Sequence, residues 1–167
     1  MQNENNLFKQ IEVFKNKLFR YALNMLKNEL DAEDVIQELL VRIWQRKDQF
    51  DLIENKEAWC MTVTRNLCID KIRTRKQNSQ DISDYHFIAD HGAPPDIITE
   101  DRENLKIVMD VLNSLPENQK EIIHLRDVEG YTYKEIAELT GLSEDQVKVN
   151  LFRARQRLKE KLKNFKY

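Results

Sequence analysis

GYTYKEIAELTGLSEDQVKVNLFRAR, residues 130–155, decides how this chain is read. Thr132-Tyr-Lys-Glu135 has the spacing of a capping box and opens a short helix. Gly141 suits the left-handed position that closes it. Ser143-Glu-Asp-Gln146 is a second capping box, opening the last helix. Two helices joined by so tight a turn can lay the second one in a DNA major groove. In that helix Val147, Leu151, Ala154, Leu158 and Leu162 step by three or four and form the buried stripe. Asp145, Val149, Phe152, Arg153 and Gln156 fall on the opposite side, with Lys148 at the margin. An aromatic away from the buried stripe needs a partner, and sugar or thymine methyl groups supply one for Phe152. From Gly141 to Tyr167 the local charge is +5, which suits phosphate. A basic, solvated helix without a ligand is the competing reading.

Working outward, the 167 residues suffice for one ordinary domain or two small ones. Three Gly, three Pro and 34% charged residues favour helices over sheet. The net charge of −2 conceals strong local differences. Cys60 and Cys68 would lie about 12 Å apart along one helix, too far for a disulfide. His86, His91 and His124 are scattered, so no metal site and no cofactor is expected. No nucleophile–base arrangement or phosphate-binding Gly loop is visible, and an enzyme is not expected. Without a signal peptide or long apolar run, the chain is expected to be soluble, cytoplasmic and not inserted in a membrane.

The first half reads as three helices. Leu7, Ile11, Phe14, Leu18, Ala22 and Met25 mark a stripe over 7–28. A second helix is expected to start at Asp31 as its cap, burying Ala32, Val35, Ile36, Leu39, Leu40, Ile43 and Trp44. Phe50 to Lys56 reads as a loop. A third helix spans about Asn55 to Lys76, with Trp59, Val63 and Leu67 on one side. Both tryptophans are assigned to the core. Residues 77–100 hold Gly92, Pro94 and Pro95 and no sustained apolar period. From Asp81 to Glu103 the local charge is −6, which suits a flexible acidic linker. Leu105, Val108, Met109 and Leu112 then form a helix face, and Pro116 suits the first turn of a helix reaching about Asp127. The fold class is therefore all-α: two small helical domains, 7–76 and 104–163, on an acidic linker, 77–103.

Two charged patches remain in the first domain. Asp34, Gln37 and Glu38 share a helix face, either as a binding edge or as acids favouring the helix dipole. Arg65, Lys71, Arg73, Arg75 and Lys76 against Asp70 give a local +4, suited to a phosphate backbone or to solvent. Asn66 has an amide suited to base edges or to a structural hydrogen bond. Asp70 reads as an anchor for a neighbouring base or amide.

Asp31-Ala-Glu-Asp-Val-Ile-Gln-Glu38 with Arg42-Ile-Trp44 resembles region 2.2 of the extracytoplasmic-function (ECF) group of sigma factors. Ala58-Trp59, Arg65-Asn66 and Ile69-Asp-Lys-Ile-Arg73 resemble regions 2.3 and 2.4. Leu115-Pro-Glu117, Gly130 to Ala137 and Phe152-Arg-Ala-Arg155 resemble region 4. The resemblance covers about 7–163 apart from the linker. It implies a sigma-2-like three-helix bundle and a sigma-4-like helix-turn-helix. Asp34, Gln37 and Glu38 are implied to bind the β′ clamp helices of core RNA polymerase, and region 4 the β flap. The loop Phe50 to Lys56, with Asn55 in it, is implied to hold a flipped −10 base, with Asn66 beside that pocket. Arg65, Lys71, Arg73 and Arg75 are implied to track the melted strand. Lys148, Val149, Phe152 and Arg153 are implied to meet the −35 element.

The linker is implied to thread the polymerase's basic cleft, and an anti-sigma factor is implied as a further partner. Unstacking a base costs a few kcal/mol, which a loop pocket and a basic helix offset. Cys60 departs from the usual Leu after Trp59 but packs as a small apolar residue. Val149 and Asn150 are not widely shared in the family, so the −35 sequence stays open. No segment resembles region 1.1 or region 3, and no further domain is expected after Tyr167. Two other functions stay open: a standalone helix-turn-helix regulator, and a sigma mimic that titrates an anti-sigma factor.

Overall fold

The computed structural model describes residues 2–78 and 99–163, which fall into two compact units divided between His86 and Phe87. The first unit holds α1 (Gln2–Leu26), α2 (Glu29–Gln45), the short α3 (Lys47–Asp51) and α4 (Lys56–Asn78). The second holds α5 (Thr99–Asn113), α6 (Glu117–Ile123), a π turn (His124–Val128), α7 (Tyr133–Thr140) and α8 (Glu144–Lys163). Helix α4 thus runs through Asn78 and α5 begins at Thr99, so both ends of the expected 77–103 linker are helical. Residues 79–98 lie outside the described residues.

In the first unit α1 packs on both α2 and α4, which also touch each other, giving a three-helix bundle. Ile11, Phe14, Leu18, Tyr21, Ala22 and Leu26 of α1 meet Ala32, Val35, Ile36, Leu39 and Ile43 of α2 and Cys60, Met61, Leu67 and Cys68 of α4. The steps of three and four that marked these faces in the sequence set the packing. Lys27 ends α1 at φ 53°, a left-handed value usually taken by Gly. Asn28, not Asp31, caps α2: its Oδ1 accepts from the Asp31 N–H at 2.9 Å. Only Lys27 and Asn28 separate the helices, so the cap falls earlier than the acids suggested. Trp44 departs from its core assignment: it lies half exposed on α2, with the Lys47 ammonium 6.0 Å from its ring. Trp59 is partly buried.

In the second unit α8 packs on α5, α6 and α7. Ile122, Ile123, Leu125, Tyr131, Ile136, Val147, Leu151 and Ala154 form its core. Helix α5 contributes Val111, and Leu115 follows it, while Leu105, Val108 and Met109 are exposed. The expected α5 face is therefore rotated, because i+3 and i+4 spacing locates an apolar stripe without saying which edge the core covers. Pro116, at φ −54° and ψ 146°, stands just before α6 as its cap.

Candidate nucleic-acid and polymerase interfaces

The local chemistry of residues 130–155 forms as its spacing requires. Thr132 Oγ1 accepts from the Glu135 N–H at 3.2 Å, and Glu135 Oε2 accepts from the Thr132 N–H at 2.8 Å. Gly141 sits at φ 76° and closes α7. Ser143 Oγ accepts from the Gln146 N–H at 3.1 Å, and Gln146 Oε1 accepts from the Ser143 N–H at 2.9 Å. Val147, Leu151 and Ala154 are buried, Leu158 and Leu162 half-buried. Lys148, Val149, Phe152 and Arg153 are all exposed, Phe152 at 68%, on the opposite side. Lys148 also pairs with Asp145 at 3.7 Å.

Arg155 separates from its neighbour Arg153. Its guanidinium binds both carboxylate oxygens of Asp127, with Nε 3.1 Å from Oδ2. That hydrogen bond raises the Arg155 pKa above its ordinary value and keeps the group charged. The π turn that carries Asp127 is closed by the Glu129 N–H donating to the His124 carbonyl at 3.0 Å. Arg126 donates to the Tyr131 carbonyl at 2.7 Å and lies 4.7 Å from the Tyr133 ring. Lys148 lies 5.8 Å from the same ring. Tyr133 and Arg126 thus join the α8 surface electrostatically, a link that linear spacing did not reveal.

On α2, Asp34, Gln37 and Glu38 are exposed on the side away from Val35, Leu39 and Ile43. Leu30, Val41 and Trp44 share that exposed side. The edge is therefore amphipathic rather than purely acidic. Val41 was legible at its i+3 distance from Glu38, but Trp44 was absorbed into the core stripe because size alone favours burial. Glu38 accepts from Arg42 Nε at 2.9 Å, and Asp34 Oδ2 lies 3.3 Å from Lys71 Nζ.

The structure divides the residues expected at the −10 strand. Phe50 is corrected: it is 1% exposed and meets Trp59 edge-to-face at 5.5 Å, so its ring cannot receive a base. Short α3, absent from the sequence reading, turns it inward. Asn55 Oδ1 caps α4 by accepting from the Ala58 N–H at 3.0 Å. Lys56 donates to the carbonyls of Ile53 at 2.9 Å and Asp51 at 3.3 Å. Both therefore shape the loop, which exposes Asp51, Leu52 and Glu54, Leu52 at 83%. On α4, Asn66 and Arg73 are exposed and Arg65 is partly so. Arg73 pairs with Asp70 at 3.0 Å, as the anchoring role of Asp70 required. Lys76 belongs to this side as well. Lys71 and Arg75 lie on the other side of α4 and pair with Asp31 of α2.

These surfaces define a class: an all-helical protein whose helix-turn-helix exposes a basic face and whose other unit exposes an amphipathic edge. The chain matches sigma-70 region 2 over residues 11–78 and sigma-70 region 4 over residues 105–158. It is similar to the ECF RNA polymerase sigma factor SigM of Bacillus subtilis, 30% identical over 151 residues, covering 89% of this chain and 90% of SigM. It is similar to SigW of the same organism at 24% identity, covering 92% and 87%. Its fold resembles the sigma factor RpoE of Bartonella quintana, solved in complex with the anti-sigma factor NepR, at a TM-score of 0.79 and 28% identity, covering 95% and 97%. The chain belongs to the ECF group of RNA polymerase sigma factors. It acts with RNA polymerase to initiate transcription at promoters. Among the described residues no helix is long and apolar enough to cross a membrane, and no group of side chains is placed to hold a metal.

Proposed function

We propose that the exposed edge of α2, Asp34, Gln37 and Glu38, docks on the β′ clamp helices of core RNA polymerase, and that the two units read separate promoter elements. Arg65, Asn66 and Arg73 meet the melted −10 strand, beside the loop that Asn55 and Lys56 shape. Lys148, Val149, Phe152 and Arg153 meet the −35 element while their unit rests on the β flap. The observation that carries this reading is the two-sided character of α2 and α8. Each buries one stripe and exposes polar and apolar groups that its own unit leaves uncovered. Residues 7–76 form the polymerase and −10 module, and 104–163 the −35 module. The sequence 77–103 joins them, and its residues 79–98 carry four Asp and no Lys or Arg. Two weak DNA contacts gain avidity once polymerase fixes their spacing.

The protein supplies no catalytic chemistry of its own and works in the cytoplasm. An anti-sigma factor is a further partner, a reading supported by the RpoE–NepR complex. Charge reversal tests the assignment. Asp34→Lys with Glu38→Lys is expected to abolish binding to purified core enzyme, measured by fluorescence anisotropy. Arg153→Glu is expected to leave that binding intact and to remove footprinting of the upstream box. Unchanged recruitment by the first variant and unchanged footprinting by the second would overturn the reading.

A further inference from the structure

We propose that Lys71 is a positioning residue for the polymerase-docking edge rather than a DNA contact. The inference rests on the docking role given above to Asp34. At about 100° per residue, Arg65, Ile69, Arg73 and Lys76 occupy roughly 80° of the α4 circumference. Lys71 lies about 160° from Arg73, and Arg75 only about 40° from Lys71. The basic run of α4 is therefore two groups on two sides, not one continuous patch.

The contacts respect that division. Lys71 Nζ lies 3.3 Å from Asp31 Oδ1 and 3.3 Å from Asp34 Oδ2. Arg75 pairs with Asp31 and donates from Nη1 to the Leu26 carbonyl at 3.1 Å. The end of α1, the first turn of α2 and the last turns of α4 meet at this node. Asp31 and Asp34 are three residues apart on α2, so their like charges repel. Lys71 cancels that repulsion and draws Asp34 Oδ2 into a defined position. The Asp34 side chain remains 64% exposed, so a partner's cation still reaches it. Lys71 and Arg75 pair with carboxylates of α2, and Arg65, Asn66, Arg73 and Lys76 face the other way, Arg73 pairing within α4 with Asp70. A docking group already held in its bound geometry loses less freedom on association.

The test measures core binding and strand capture separately in the full chain. Lys71→Gln is expected to weaken binding to purified core RNA polymerase about fivefold, the size of a partly exposed pair. Lys71→Arg restores it, and adding Lys71→Gln to Asp34→Asn costs nothing further. At saturating core enzyme, capture of a single-stranded −10 oligonucleotide by Lys71→Gln keeps the parental affinity and salt dependence, whereas Arg73→Gln loses both. Arg75→Gln, the neighbouring member of the node, gives the same division as Lys71→Gln and guards against one variant folding poorly. Core binding by Lys71→Gln that is unchanged or tighter overturns the proposal, as does weakened strand capture. Asp34→Asn separates the two levels. A loss there without one in Lys71→Gln removes the positioning role alone, and no loss there removes the docking reading itself.

Discussion

Cys60 is fully buried on α4, and desolvation, followed by repulsion from Glu57, pushes its thiol from the ordinary 9.0 up to about 12. A folded pKa above the unfolded one means that the stabilisation is complete below about pH 9 and disappears as the pH rises toward 12. We expect native protein at pH 8 to resist iodoacetamide at Cys60, with mass spectrometry detecting modification only after unfolding; rapid native labelling there would contradict the burial. Arg155 makes the complementary point about reading single residues. It lies two positions from Arg153 in one basic motif, yet its bidentate bond to Asp127 commits it to the fold. Phe50 was implied by the family resemblance to belong to a base-holding loop and is core, whereas Trp44 was placed in the apolar stripe of α2 and is half exposed. In both cases the deciding quantity is the azimuth of a side chain on a short or one-sided element, which composition does not carry.

At the scale of elements, the strongest local rules were legible and the tertiary ones were not. Both capping boxes and the left-handed Gly141 form as written, since each needs only residues three or four apart. The bundle faces of α1 and α2 were legible for the same reason. The α3 turn, the earlier cap at Asn28 and the rotation of α5 were not, because each is settled by packing against distant segments. The two-sidedness of α4 was in the sequence, at its 100° steps, but the density of positive charge hid it. The α7 box gives a direct check. Thr132→Ala should lower the stability of the second unit by about 1 kcal/mol, read as a shift in its denaturant midpoint without a change in slope. Thr132→Ser should behave as the parent. If Thr132→Ala is as stable as the parent, the cap is energetically idle.

At the scale of the molecule, a net charge of −2 coexists with surfaces of opposite sign, so ionic strength is the lever that separates them. Removing one cation that touches a phosphate should reduce the salt slope of DNA binding by about one. We expect Arg153→Gln and Lys148→Gln each to flatten the slope of holoenzyme binding to a −35 duplex by that amount, and the double variant by about two. Slopes matching the parent would place the phosphate contacts elsewhere. The π turn at His124–Val128 bears on the same surface in another way. A π segment accommodates one residue more than an α-helix of equal rise. Deleting a single residue there would return the segment to ordinary α pitch and disturb the pairing of the Asp127 carboxylate with Arg155. Helix α8 is thus pegged to its scaffold through the wider turn, like a shelf on a bracket, and losing one residue there would loosen the seat of α8 without altering a single side chain on its outer face.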